Sequence, residues 1–296
     1  MLAHSAAGTS PSAVLVTGTS TGIGHACVAR LIAEGCSVFA GVRRPQDGER
    51  LAEEFPDRLR WLELDVTDPA EIAAAVEQVT AAVGAHGLTG LVNNAGVAIG
   101  GPLEFVPAAL LRRQLEVNVI GLHAVTVAFL PLIRRGHGRI VHIGSISGRI
   151  ASPFIGPYTA SKHAVEGLTD SLRLELAPEG IHVAVIEPGQ VRTPIWDKGV
   201  AAFNGVSERF PPEALARYGL RLRVFRWLLE RAPRIAVAPE LVADRVVHAL
   251  TASEPRTRYV VGSDARVRLW LTRLLPDRVM DAIVLGALAK IERRLS

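Results

Sequence analysis

Two periods of apolar spacing alternate along most of this chain. Residues 13–17 (AVLVT), 36–42, 60–64, 88–92, 138–144 and 181–187 are short, β-rich apolar runs. Between them lie stretches with helical spacing, among them 25–34, 70–83 and 110–133, the last with a break expected near Val117-Asn118. The residues from Tyr158 onward also read as helix. Strands alternating with helices at this spacing predict an α/β fold with a parallel, doubly wound sheet. Ligands in such sheets lie beyond the carboxyl ends of the strands.

Those strand ends carry the chemistry. The first strand runs straight into Gly18-Thr-Ser20-Thr21-Gly22-Ile23-Gly24 and then a helix. Strand, glycine loop and helix together aim free backbone N–H groups and the positive helix end at a phosphate. Glycines let the backbone approach a pyrophosphate without a Cβ in the way. The second strand ends at Val42, where an acidic residue would select a ribose 2′-hydroxyl, and Arg43-Arg44 follow. An arginine there accommodates a 2′-phosphate, so the pattern predicts preference for NADP(H), with Arg43 as its partner and NAD(H) as the alternative. Asp65-Val66 closes the third strand, where a carboxylate and a small apolar contact could hold the adenine edge; Asn93-Asn94-Ala95-Gly96 closes the fourth.

The fifth strand ends at Ser145, thirteen positions before Tyr158, and Lys162 follows one helical turn later. Residues at i and i+4 share a helical face. An ammonium beside a phenol favours the phenolate and pulls its pKa towards neutrality, which suits a general acid or base. A hydroxyl at Ser145 could hold a carbonyl or alkoxide oxygen in front of the tyrosine. Asn118, in an apolar context, needs a hydrogen-bond partner. It serves either as a helix-bend residue or as the holder of a water near the site.

In this order Thr17-Gly18-x-x-x-Gly22-Ile23-Gly24, Asp65-Val66, Asn93-Asn94-Ala95-Gly96, Asn118, Ser145, Tyr158-x-x-x-Lys162 and Pro188-Gly189 with Thr193 make the chain resemble the short-chain dehydrogenase/reductase family. The resemblance covers about residues 13–195 and is nearest to the branch with retinol, 17β-hydroxysteroid and 3-hydroxybutyrate dehydrogenases. It implies a Rossmann-type sheet, a nicotinamide cofactor and carbonyl–alcohol interconversion. It makes Tyr158 the acid/base, with Lys162 lowering its pKa and binding the nicotinamide ribose. Ser145 then positions the reacting oxygen, and Asn118 holds a water that links Lys162 to solvent. Asn94, Ala95 and Gly96 line the cofactor; Pro188, Gly189, Val191 and Thr193 flank the nicotinamide end. A homodimer or homotetramer through 110–133 and 158–177 is also implied.

After about residue 195 the family pattern thins, leaving a lid over 195–235 and an amphipathic helical extension over 263–296, behind a flexible segment 1–12. Within 214–231, Leu215, Tyr218, Leu222, Phe225 and Leu229 form one apolar stripe, and Leu220, Val224 and Trp227 a second. A helix apolar on two sides has two things to cover: an apolar substrate pocket, or core and subunit contacts. The basic excess lies late, with six arginines against two glutamates in 212–235 and nine basic against four acidic residues in 256–296. No basic stripe accompanies the strand and helix core, which argues against a nucleic-acid partner. The leucine- and arginine-rich tail suits peripheral contact with an anionic membrane, an oligomer contact or a solvated basic face.

Two cysteines, Cys27 and Cys36, are too few for a disulfide framework. The start lacks a signal peptide and the apolar stretch 117–133 falls short of a membrane span, so a cytoplasmic location is expected. No metal is implied, because His25, His142 and His163 lack ligand-spaced partners. The chain thus reads as an NADP(H)-preferring oxidoreductase of a lipophilic, retinoid- or steroid-like alcohol or ketone. The rivals are a 3-oxoacyl thioester reductase and a non-catalytic dinucleotide sensor. A sensor has no need of Asn118, Ser145, Tyr158 and Lys162 together.

Overall fold

In the computed structural model, which describes residues 12–194 and 210–295 (side chains at 232–235 excepted), the expected sheet is present. Seven parallel strands lie in the order β3-β2-β1-β4-β5-β6-β7. They are β1 (Ala13–Thr17), β2 (Ser37–Val42), β3 (Leu59–Glu63), β4 (Gly90–Asn93), β5 (Arg139–Ile143), β6 (Val183–Pro188) and β7 (Arg258–Val261). The order reverses between β1 and β4, the crevice at which such sheets hold ligands.

Alternate residues of each strand feed opposite faces. Val14 and Val16 join a core with α1 (Gly22–Ala33), while Ala13 and Leu15 join one on the other face with α3 (Pro69–Val83). Helix α2 (Pro45–Glu54) follows β2 and packs on β3, where Gly48 leaves room for the Trp61 ring. The break near Asn118 is a π-helical turn, Glu116–Gly121, between α4 (Ala108–Leu115) and α5 (Leu122–Arg135). Gly121 faces Val66 so closely that a Cβ would lie 2.7 Å from it. By composition, Ala108–Arg135 is one helix long and apolar enough to cross a membrane, at mean hydropathy 1.7, longer than the 117–133 stretch. Half of its most apolar 18-residue window is buried inside the protein, as suits a sheet-packing helix.

Helix α6 (Gly156–Leu176) carries Tyr158 and Lys162. Of the expected lid, residues 195–209 lie outside the described residues, as do 1–11 at the start. Its remainder is α7 (Pro212–Ile235). On the first stripe Leu222 and Phe225 are buried among aromatic rings, whereas Leu215 at the helix start is exposed. Val224 is also buried, on the second stripe. Helix α8 (Pro239–Thr251) packs on α1.

The tail forms α9 (Ser263–Leu274) and α10 (Asp277–Leu295). Helix α9 is more than a surface element: Ala265 and Leu269 bury against Ile146 and Ile150, in the loop that follows β5. Helix α10 packs on α7, with Arg221 paired to Glu292 at 3.5 Å, and none of its residues is buried.

Candidate active site

Every strand-end motif read from the sequence lies at the carboxyl edge of the sheet, on both sides of the β1/β4 crevice. The glycine loop is built by backbone demands. Gly18 and Gly22 adopt φ of 68° and 63°, a region glycine enters without steric cost. A Cβ on Gly24 would collide with the Gly18 carbonyl and the Asn94 amide. Thr21 is the N-cap of α1 yet no side chain caps that helix, so its first N–H groups stay available to an anion, with Ser20, Gly22 and Ile23 alongside. Arg50 fixes the loop from outside by donating to the Ser20 carbonyl at 2.7 Å.

Asn94 ties this loop to β4. Its side-chain amide donates to the carbonyls of Thr17 and Gly18, both at 2.9 Å. The backbone N–H groups of Asn94 and Ala95 in turn donate to the Thr17 hydroxyl, both at 3.0 Å. Gly96 is exposed, beside Asn118. From the other side Thr193 closes on the loop, since a Cβ on Gly22 would lie 3.0 Å from its side chain. Val191 is buried and bridged to Val237. Gly189, after Pro188, admits the Asp264 carboxylate of α9, where a Cβ would lie 2.7 Å away. Glycine cradle, uncapped helix and enclosing Thr193 fit the pyrophosphate of a dinucleotide.

Arg43 is exposed at the end of β2 and makes no ion pair among the described residues, whereas Arg44 is paired to Asp47 at 2.9 Å. Arg43 therefore keeps its donors available at the position where a ribose 2′-phosphate would sit. Asp65 accepts from the Thr67 N–H at 2.9 Å and hydroxyl at 2.7 Å. Burial alone would raise its carboxyl, but these bonds and the charges of Arg43 and Arg113 hold it below its ordinary value.

Ser145, Tyr158 and Lys162 come together where β5 meets α6. The Ser145 hydroxyl accepts from the Ser147 N–H at 3.1 Å and faces the Tyr158 phenol. Lys162 is buried, its Nζ donating to the Ile143 carbonyl at 2.7 Å and lying 5.7 Å from the Tyr158 ring centroid. The expected direction of tuning needs correction. Burial pushes the Tyr158 phenol above its ordinary value, with Ser145 opposing, and the lysine does not reverse it. Burial also lowers Lys162 to about 8, with the Glu166 charge opposing. The phenol is thus protonated at neutral pH, the form that gives a proton away.

Asn118 is fully engaged. Its Oδ1 accepts from the Val97 N–H at 2.9 Å, and its Nδ2 donates to the Val97 carbonyl at 3.0 Å and the Ser161 hydroxyl at 3.1 Å. Its side chain thus binds the loop after β4 to α6. Gln114, one turn earlier and fully buried, completes that seam by donating to the Val97 carbonyl and accepting from the Ile99 N–H, both at 2.7 Å. Sequence reasoning missed Gln114 and Ser161; the signal was a second polar residue four positions before Asn118, on the same helical face.

Also missed was an ionic group around the buried carboxylates of Glu166 and Glu187, on the α6 helix that carries Lys162 and the neighbouring β6. Arg258 of β7 pairs with Glu166 (3.1 Å) and Asp170 (2.6 Å) of α6 and with Glu187 (3.5 Å) of β6; Arg149 pairs with Glu187 at 3.2 Å. Burial, then the neighbouring Glu187, raises Glu166 to about 7 against the two arginines. His142 of β5 shares a 2.9 Å hydrogen bond with Thr169, and burial with the Lys162 charge lowers it to about 3. None of these contacts is local in sequence.

Phe105, Phe154, Phe210, Tyr218 and Phe225 pack ring against ring, and Phe154 lies in the loop that leads into α6 and Tyr158. Glu104 pins the rim, accepting from Arg217 at 2.5 Å and from the Tyr218 hydroxyl at 3.0 Å. Only Tyr218 and Phe225 were legible beforehand, through the helical stripe.

A family model described as short chain dehydrogenase matches residues 12–202. An NADPH-dependent 3-dehydrocapnine reductase of Ornithobacterium rhinotracheale is 36% identical over 282 residues, 94% of this chain and 97% of that protein. Retinol dehydrogenase 5 of Mus musculus is 38% identical over 290 residues, 96% of this chain and 91% of that protein. Among solved structures, a short chain dehydrogenase from Burkholderia cenocepacia in complex with NADP superposes with a TM-score of 0.71. It is 26% identical, covering 93% of this chain and 98% of that one.

Proposed function

Since the chain belongs to the short-chain dehydrogenase family, and so is an NAD(P)-dependent oxidoreductase of alcohol and carbonyl groups, we propose that it prefers NADP(H) and acts on a lipophilic alcohol or ketone of retinoid- or steroid-like character. The observation that carries this reading is the aromatic cluster of Phe105, Phe154, Phe210, Tyr218 and Phe225, joined through Phe154 to the start of the helix that bears Tyr158 and Lys162. Arg43, with no ion pair among the described residues, supports the NADP(H) preference, as do the NADPH in the Ornithobacterium relative's name and the NADP in the Burkholderia structure.

In this reading the glycine loop and the α1 N-terminus hold the pyrophosphate, Asp65 and Val66 the adenine, and Arg43 the 2′-phosphate. Asn94, Ala95 and Gly96 line the cofactor, and Pro188, Gly189, Val191 and Thr193 flank its nicotinamide end. The nicotinamide supplies the hydride when bound. Ser145 donates a hydrogen bond to the substrate carbonyl oxygen, and Tyr158 gives that oxygen its proton. Lys162 keeps a positive charge behind the phenol, which steadies the phenolate left after transfer. Asn118 fixes the loop and helix between which protons are replaced.

A 3-oxoacyl thioester reductase would present free arginines to a carrier. Here Arg217, Arg221 and Arg226 of α7 are paired with Glu104, Glu292 and Glu230, and Arg231 stacks over Trp227 at 4.0 Å, which leaves Arg223 as the exposed arginine of α7 with no ion pair or ring contact among the described residues. Initial rates with NADPH on retinal, a steroid ketone and a 3-oxoacyl thioester decide the matter. Faster turnover of the apolar carbonyls supports the proposal. Faster thioester reduction installs the rival, and NADPH binding with no turnover of any of them installs the sensor.

We also read a homodimer or homotetramer through residues 110–133 and 158–177, supported by exposed Ile120, Val127 and Leu174 along those segments. The cytoplasmic reading goes with peripheral membrane contact through the tail, where Val267, Trp270, Leu274, Ile283 and Leu285 are exposed among arginines. Sedimentation settles the first; the second fails if the full-length protein stays wholly in solution in a liposome flotation assay.

A further inference from the structure

Phe154 has a backbone conformation that its side chain does not favour. Its φ is 67°, in the left-handed region where a bulky residue is an outlier and glycine is at ease. Residues held there mark places where surrounding structure imposes the conformation. Three segments meet at this residue. Its carbonyl accepts from the Gly101 N–H at 2.7 Å, which ties it to the loop after β4. Its ring stands edge-on to Tyr218 at 6.2 Å and tilted against Phe225 at 5.6 Å, both on α7. Two residues later α6 begins, and Tyr158 is in its first turn.

Glycines opposite leave the space this arrangement needs. A Cβ on Gly100 would lie 2.9 Å from the Phe154 carbonyl and 3.4 Å from the Phe225 ring. The other end of the same loop is held from α9, where Ile150 packs on the buried Ala265 and Leu269, and Arg268 donates to the Ser152 hydroxyl at 3.1 Å. The loop between Ser145 and Tyr158 is therefore anchored at Ile150 and Ser152 by the tail and at Phe154 by the covering helix.

We propose that Phe154 is a specificity-determining residue: its left-handed backbone turns the ring between Tyr218 and Phe225, so that α7 and the Tyr158 end of α6 are held as one unit that favours long apolar carbonyls over short ones. The substrate half of this statement rests on the lipophilic reading above; the coupling of α7 to the loop does not. Glycine at this position would relax the backbone and delete the ring, whereas leucine would delete the ring and keep the strained backbone, so the pair separates the two roles.

The test uses full-length Phe154→Gly, Phe154→Leu and Phe154→Tyr. For each, kcat/KM is measured with NADPH on a long apolar ketone and on a short one, with NADPH affinity, thermal midpoint and hydrogen exchange of α7. Loss of two ring pairings in Phe154→Gly is expected to lower the long-to-short ratio about tenfold. NADPH affinity should stay level, the thermal midpoint should not fall, and α7 amides should exchange faster while α6 amides do not. Phe154→Leu should fall between, and Phe154→Tyr should keep the wild-type ratio. An unchanged ratio in Phe154→Gly, or equal loss on both ketones with a lowered midpoint, overturns the proposal. If wild type itself favours the short ketone, the lipophilic reading fails. The exchange then decides the coupling: faster α7 exchange upholds it, and unchanged exchange overturns it.

Discussion

The two sides of Tyr158 are held by opposite means. On the cofactor side, contacts are hydrogen bonds to backbone at fixed distances: the Asn94 amide bridges Thr17 and Gly18, and the Thr17 hydroxyl receives two N–H groups. On the substrate side, rings meet at centroid separations of 5.6 to 6.4 Å, with an ion pair at the rim. Hydrogen bonds have narrow geometry and name the residue that makes them. Ring packing asks only for size and apolar surface. One side is therefore strict about residue type and the other about volume.

The sharpest way to break that comparison is at the boundary itself. Tyr158→Phe keeps the ring and removes the proton. Turnover should fall about 10²- to 10⁴-fold, the usual worth of a positioned acid or base, with NADPH affinity unchanged. Because burial holds the phenol above its ordinary value, reduction should run level through neutral pH, while oxidation, which needs the phenolate, should climb as pH rises. Equal pH profiles in the two directions would remove Tyr158 from the proton's path.

Strictness on the cofactor side is tested by Gly24→Val. The new side chain meets the Gly18 carbonyl and the Asn94 amide, and overpacking of that kind costs about 1–3 kcal/mol, or about 5- to 150-fold in NADPH affinity. A protein that binds NADPH as wild type does would show the loop to be softer than its contacts imply. Arg43→Ala asks a narrower question. Losing one charged hydrogen bond to a 2′-phosphate should weaken NADPH about tenfold or more and leave NADH alone. Fluorescence titration reads both, and equal effects on the two would reduce Arg43 to surface charge.

The same contrast explains what was legible in the sequence. Gly18, Gly22, Asn94, Ser145, Tyr158 and Lys162 could be read because their work depends on residue type at local spacing. The sheet could be read because its strands are continuous apolar runs. Helix α2 was missed because it is polar and short, with only Gly48 and Leu51 buried. Strand β7 was missed because it joins β6 across long sequence separation. Phe105, Phe154 and Phe210 carry no spacing signal; only folding brings them to one roof. The direction of the Tyr158 shift was misread because a helical i,i+4 pair says nothing about burial, and burial is the larger effect.

The smallest expected effect lies in the buried polar group behind the site, and it comes as two opposed slopes. His142 titrates near 3 folded against 6.5 unfolded, so between those values the unfolded chain binds more protons and stability falls as pH falls. Glu166 titrates near 7 folded against 4.5 unfolded, so there the folded chain binds more protons and stability falls as pH rises. Each slope reaches at most about 1.4 kcal/mol per pH unit, and they oppose each other between pH 4.5 and 6.5. Relative to wild type, Glu166→Gln should therefore make stability rise more steeply with pH in that window, and His142→Gln should make it fall. The double variant should return to the wild-type slope. Denaturant midpoints across the window measure all three. Changes of the same sign in both single variants would mean that the charges of Glu187, Arg149 and Arg258, and not burial, set the protonation of this group.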